Sequence, residues 1–259
     1  LYLQLRGTSE HRVTALRRLL RICEITAEWD RAVDLCGELL RIGTDTVTPG
    51  QLAHYYCELA EEARKKSDWK EAYRLLEQAE AVEPGKVRCT IIRGDLAADQ
   101  GQSVAAASAY AELARAVPAM LGDILPRLLR TVPQAGLEPL LQEVTATPEG
   151  LRGIALAVIR DPQISHPAAI DCLGRFIEQQ PILRDLAGAG FPGAAAADSR
   201  RQAIERVRKA LHQLARVGTN YQCADCGYYS SVLQWQCPGC RAWDTVGAAD
   251  RLLFKGSPV

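Results

Sequence analysis
Apolar residues recur every three or four positions up to about residue 217, among many Leu, Ala, Arg and Glu and with few β-branched runs. That spacing predicts amphipathic α-helices. The helices come in related pairs. Trp29-Asp-Arg-Ala32 and Trp69-Lys-Glu-Ala72 each follow a helical segment by a short turn, and each opens a second helix. After Ala72 come Leu76, Ala79 and Pro84; the same spacing returns at Ala106, Tyr110, Leu113 and Pro118, and again at Ala169, Leu173, Phe176 and Pro181. Ala60, Gly94 and Ala157 stand at a constant distance ahead of these prolines. Small residues let paired helices approach, the leucine or aromatic fills the gap, and proline stops the second helix.

This is the tetratricopeptide pattern, and it predicts an all-α solenoid of helical hairpins over residues 1–187 with the last repeats degenerate. The first copy (Leu16, Leu20, Cys23, Trp29, Ala32, Cys36, Leu39) has Thr44 in place of proline and a longer loop carrying Pro49 and Gly50. The fourth, ending at Pro148, has Gly136 and Glu143 at positions that should be small and apolar, so it is expected to be irregular. Stacked repeats expose a concave face lined by the first helix of each pair. In the first three pairs the register turns Arg17, Arg21 and Glu24, then His54, Glu61 and Arg64, then Arg88 and Asp95 toward it. A mixed-charge face of this kind suits a polar or charged segment of a protein partner.

Residues 188–198 are nearly all small and read as a flexible connector. Ser199 is then placed to cap a helix over 199–218, with an apolar stripe of Ile204, Val207, Leu211, Leu214 and Val217 ending at Gly218. Its other face carries Arg200, Arg201, Arg206, Arg208, Lys209 and Arg216. Such a face is either solvated or a docking surface for acidic protein or anionic lipid headgroups.

Composition narrows the classes. The 259 residues are 47% hydrophobic and 24% charged with a formal net charge of zero, which argues against a dedicated nucleic-acid surface. No apolar run reaches the roughly 18 residues that a membrane span needs. The first residue is Leu1 and no signal peptide follows, so an N-terminal part is expected beyond this sequence.

The chemistry concentrates near the C-terminus. Cys223-Ala-Asp-Cys226-Gly and Cys237-Pro-Gly-Cys240-Arg are two C-x2-C pairs, and Gly227, Pro238 and Gly239 suit tight turns around them. Four thiolates so placed fit one tetrahedral ion; with all four positions taken by sulfur, that ion is structural and not catalytic. Zinc is favoured over iron, because the short stretch between the pairs builds only one hairpin and not the apolar shell of a redox centre. The module, at 219–246 and followed by a tail at 247–259, cannot form a core from aliphatic residues alone. The metal together with Tyr221, Tyr228, Tyr229, Trp235 and Trp243 is expected to supply it, with Trp235 or Trp243 packing the module onto the repeats.

Other catalytic readings fail. His11, His54, His166 and His212 stand far apart without metal or triad spacing; Cys23 and Cys36 read as small hydrophobes at core positions of the first repeat, and Cys57, Cys89 and Cys172, with no activating base nearby in sequence, read as inert. Nothing marks two carboxylates as an acid/base pair.

The order of repeats, basic helix and four-cysteine module resembles the lipopolysaccharide assembly protein B family of Gram-negative bacteria, tetratricopeptide proteins ending in a rubredoxin-like module. So do the local words Ala15-Leu-Arg-Arg-Leu-Leu-Arg-Ile22 running to Glu28-Trp29, Ala53-His-Tyr-Tyr-Cys-Glu-Leu-Ala60 and Trp235-Gln-Cys-Pro-Gly-Cys-Arg-Ala-Trp243. The resemblance is weakest over about 119–198 and does not extend to the tail. It implies a non-enzymatic adaptor at the cytoplasmic face of the inner membrane, held by an N-terminal transmembrane helix outside these residues. The partners it implies are the FtsH protease, the LpxC deacetylase that FtsH degrades, and an inner-membrane regulator that senses lipopolysaccharide. Cys223, Cys226, Cys237 and Cys240 would be its metal ligands. The ribbon alone also resembles that of the RadA recombination ATPases, but no G-x4-G-K-[ST] loop occurs here. A nucleic-acid-binding ribbon on a helical scaffold is therefore the alternative function.

Overall fold
The computed structural model describes residues 11–43, 45–188, 197–217 and 221–248. The chain is all-α apart from a small C-terminal four-cysteine ribbon, and it divides into two compact units, Leu1–Ala109 and Tyr110–Val259.

In the first unit, α1 (Arg12–Thr26) and α2 (Trp29–Ile42) form one hairpin, and α3 (Pro49–Lys65) and α4 (Trp69–Val82) the next. Both interhelical turns contain a residue in the left-handed region, Ala27 at φ 56° and Ser67 at φ 59°. The Ala27 N–H donates to Cys23 O and ends α1, while the Asp68 carboxylate accepts from Glu71 N–H and starts α4. Pro49 and Gly50 are not in the loop where the sequence pattern put them. Pro49 is the first residue of α3, behind a Thr48 hydroxyl that accepts from Gln51 N–H, because a helix start tolerates proline's missing donor. α5 (Val87–Asp99) lies against α3 and α4. Ala53, Cys57, Ala60, Leu76, Ala79, Cys89, Ile92 and Leu96 form their shared core. The small residues at Ala60 and Gly94 are buried, as close helix approach requires.

The helix α6 (Ser103–Ala116) runs from the first unit into the second. There a single 3-10 turn (Pro118–Met120) leads to α7 (Leu121–Thr131), α8 (Gln134–Val144), α9 (Pro148–Arg160), α10 (Pro167–Gln179), α11 (Pro181–Ala187) and α12 (Ala197–Val217). The irregular fourth repeat has a physical form: α7 and α8 each hold an internal proline, Pro126 and Pro139, and α7 packs on α9. A Cβ at Gly153 would stand 3.2 Å from Leu121 Cβ and 3.3 Å from Gly122 N, so glycine sets the spacing of that crossing.

α12 starts at Ala197, which puts Ser199 inside its first turn and not at the cap. Ile204, Val207 and Leu211 are buried as the stripe predicts, while the side chains of Leu214, Val217 and Arg216 lie outside the described residues, as do Gly218 and connector residues 189–196. Part of the basic face is taken up within the protein. Arg208 is buried and donates to Val158 O at 3.2 Å and Asp161 O at 3.1 Å, closing the C-terminal end of α9. Arg200 pairs with Asp171 and Glu178, and Arg206 donates to Ala187 O. Arg201 and Lys209 remain exposed. The helix thus braces α9, α10 and α11 through part of this face and leaves the rest exposed.

Three short strands complete the second unit: β1 (Tyr221–Cys223), β2 (Tyr229–Ser230) and β3 (Val246–Ala248), antiparallel in the order β2-β1-β3. Among the described residues no helix is long and apolar enough to cross a membrane.

Candidate metal centre
Each C-x2-C pair sits in a turn that aims both sulfurs inward. In the first, Gly227 takes φ +73° and its N–H donates to Cys223 O at 3.0 Å. In the second, Arg241 holds the corresponding place at φ +66° and donates to Cys237 O at 2.7 Å, so the left-handed position here is not a glycine. Gly239 serves another need: a Cβ there would stand 3.3 Å from Cys226 Sγ and from Tyr228 Cβ.

The four Sγ atoms lie within 4.8 Å of one another, with Cys223–Cys240 at 3.7 Å and Cys226–Cys237 at 3.6 Å. A tetrahedron with metal–sulfur bonds of about 2.3 Å has sulfur–sulfur edges of about 3.8 Å, so the donor set fits one such ion. Backbone N–H groups of Asp225 and Cys226 bond Cys223, that of Tyr228 bonds Cys226, and that of Ala242 bonds Cys240. The Thr245 hydroxyl lies 3.2 Å from Cys223 Sγ and, with those amides, lowers its pKa to about 6. The Ala242 N–H also favours the Cys240 thiolate, yet desolvation and the three neighbouring sulfurs prevail and push its pKa up to about 12. Four bare thiolates this close repel one another, and a dication is what lets all of them ionise together. Cys223 and Cys237 are buried, Cys240 is half-buried and Cys226 is exposed.

The module's core differs from expectation. Tyr221, Cys223, Cys237 and Val246 form its buried apolar cluster, with Leu233 and Cys240 against them. Trp235 and Trp243 are half-buried outside that cluster, and Tyr228 and Tyr229 are exposed. The Tyr221 ring joins the module to the helices. Its hydroxyl donates to the Asp123 carboxylate on α7, Arg160 of α9 donates to its oxygen at 3.0 Å, and the Arg160 guanidinium carbon stands 5.0 Å above its ring. Burial raises the Asp123 pKa against the opposing hydrogen bond from Tyr221 and the charge of Arg160. Sequence reasoning counted Tyr221 among the module's rings, but nothing in the chain points to Asp123 or Arg160.

The eight charged or polar residues expected on a partner-binding face divide. Arg17 and Arg21 are exposed, the latter 3.7 Å from Glu24, and Glu61 and Arg64 are half-buried. Glu24, His54, Arg88 and Asp95 are not open to a partner, at 6%, 0%, 5% and 8% exposed. They are taken up between helices: Glu24 accepts from Tyr55 at 2.7 Å and Gln51 at 3.2 Å. Arg88 donates to Glu58 at 2.8 Å beside His54, and Arg64 lies 3.8 Å from Asp95 and 3.2 Å from Asp99. Helical register fixed which way these side chains point, and the adjacent helix then covered them.

Comparison with known proteins adds to this geometry. Residues 221–248 match the family model described as "Rubredoxin metal binding domain". Over 253 residues, 94% of this chain, the sequence is 26% identical to "Lipopolysaccharide assembly protein B" of Escherichia coli (strain K12). It is 25% identical over 266 residues to the protein of the same name from Haemophilus influenzae. The chain spans 64% of the length of the first relative and 63% of the second.

Proposed function
We propose that this chain is part of a non-enzymatic adaptor that regulates lipopolysaccharide biosynthesis at the cytoplasmic face of the inner membrane, by promoting FtsH-dependent proteolysis of LpxC. The observation that carries this reading is similarity over 94% of the chain to proteins named for lipopolysaccharide assembly, in a chain that combines helical hairpins with a four-thiol ribbon. Helical repeats supply surface and positioning.

Cys223, Cys226, Cys237 and Cys240 hold one structural ion, which we assign as zinc. Its support is the open side of the site at Cys226, where a redox iron would call for an apolar shell. When bound, the ion supplies cross-linking and charge neutralisation. The chain's own residues do the rest: the amides of Asp225, Cys226, Tyr228 and Ala242 orient the sulfurs, and Tyr221 fastens the module to α7 and α9. Partner capture begins at the exposed Arg17 and Arg21 on α1, with Glu61 and Arg64 at its margin.

The test is a pull-down from a Gram-negative envelope extract with the full-length protein. Recovery of FtsH or LpxC supports the adaptor, and recovery of nucleic acid that withstands moderate salt would replace it with the ribbon-as-reader function. Elemental analysis decides the metal: one zinc per chain is expected, and one iron with visible absorption overturns the assignment.

A further inference from the structure
A second pair of sulfurs lies within the first unit. Cys57 on α3 and Cys89 on α5 place their Sγ atoms 3.5 Å apart, both fully buried in the core that Ala53, Ala60, Ile92 and Leu96 share. A disulfide needs a sulfur–sulfur distance of about 2.05 Å, so these atoms have about 1.5 Å to close. The surroundings distinguish the two thiols. Cys89 has a lowered pKa, first because it bonds Cys57, then through the charges of Lys86 and Arg93 against desolvation and Glu80. Cys57 is raised, by the same hydrogen bond and by burial. The shared hydrogen bond thus favours the thiolate at Cys89 and the thiol at Cys57.

We propose that Cys57 and Cys89 are a redox pair, oxidised by peroxide to a disulfide that ties α3 to α5. The Cys89 thiolate attacks one peroxide oxygen; the O–O bond breaks, hydroxide leaves and takes up a proton as water, and Cys89 becomes a sulfenic acid. The Cys57 sulfur then displaces the second oxygen as water, forming the S–S bond as the S–O bond breaks. In total, two thiols and one hydrogen peroxide give one disulfide and two waters. Burial sets the pace, because peroxide reaches the pair only as the helices open locally. The link acts where it matters for charge placement: His54, Glu58, Glu61 and Arg64 stand on α3, and Arg88 and Asp95 on α5. Oxidation would fix the spacing of those two sets.

The experiment treats the metal-loaded full chain with hydrogen peroxide, blocks remaining thiols under denaturing conditions, and maps peptides by mass. A linked peptide containing Cys57 and Cys89 in most molecules, lost on treatment with dithiothreitol, is the expected result. Its mass separates it from any disulfide formed within the ribbon. In Cys57→Ala the linked peptide disappears and Cys89 proceeds to the sulfinic acid. Two results would overturn the proposal: both thiols still fully alkylated in the treated parent protein, or Cys89 over-oxidised there without a link. Mapping of the parent protein decides the matter even if the variant does not fold.

Discussion
The Tyr221 hydroxyl donates to the Asp123 carboxylate across 98 positions of sequence, and this contact joins the first strand of the cysteine ribbon to α7. Arg160 completes the group from α9, so two helices hold one tyrosine that lies two residues ahead of the first cysteine. Tyr221→Phe keeps the ring under the Arg160 guanidinium but removes the oxygen that Arg160 bonds and leaves the half-buried Asp123 carboxylate short of a donor. A loss of about 1–3 kcal/mol is expected in the second unit. Metal content should stay at the parent level. Urea unfolding followed by ribbon fluorescence, beside elemental analysis, checks both halves of the expectation.

The same carboxyl predicts a pH dependence. Asp123 has a folded pKa above its ordinary value of 3.8, because burial disfavours its charged form. The folded state thus holds the proton longer than the unfolded state, and stability falls as pH rises from the unfolded pKa through the folded one. Asp123→Asn should remove that fall, so the difference in unfolding free energy between parent and variant should change with pH in the mildly acidic range and level off above it. A constant difference from pH 4 to pH 8, on the order of that window, would contradict the assignment.

Cys237 is fully buried at the centre of the ribbon core. Cys237→Ser should lose the ion and unfold residues 221–248 while the helices remain, because structural zinc contributes about 10–16 kcal/mol in modules of this kind. Circular dichroism should keep nearly all its helical signal, while proteolysis should cut within the ribbon. Retention of one zinc per chain by this variant would sink the four-thiolate assignment.

Gly153→Ala tests the crossing of α7 and α9. The added methyl would meet Leu121 Cβ and Gly122 N, so the helices must part or Leu121 must leave its place. A cost of about 1–3 kcal/mol follows, read as a lower thermal midpoint. An unchanged midpoint would mean that the crossing is looser than described.

Arg17 and Arg21 offer the cleanest test of partner capture. Reversing both to Glu should weaken recovery of partner proteins and leave the thermal midpoint nearly unchanged, since both are exposed and, among the described residues, only Arg21 lies near a carboxylate. Arg88→Ala should behave the opposite way, lowering stability because Glu58 loses its partner. Equal recovery by the double reversal and the parent would remove this face of α1 from consideration.

Much of this was legible in the chain, for identifiable reasons. Trp29 and Trp69 open helices where the repeat put them, and Ala60, Gly94 and Ala157 are buried, because helical spacing and residue size are local properties. The four cysteines converge because C-x2-C turns carry their geometry with them. What escaped depends on distant neighbours. Register set the direction of His54 and Arg88 but could not tell that α3 and α5 close over them. Pro49 and Ser199 were misplaced because a helix can begin a turn earlier or later at little cost. Cys57 and Cys89 stood as isolated thiols in the sequence, and only the packing of α3 on α5 makes them a pair.

The ribbon's cysteines are unequally sheltered, from Cys237 in the core to Cys226 in solvent. That gradient orders the way an ion would leave. A competing chelator or thiol-reactive electrophile meets Cys226 first, then Cys240, while Cys223 and Cys237 still hold their strand and turn. Metal residence time is thereby governed at one outer sulfur and the ribbon's fold at two inner ones, so exchange of the ion and collapse of the module become separable events with separate rates.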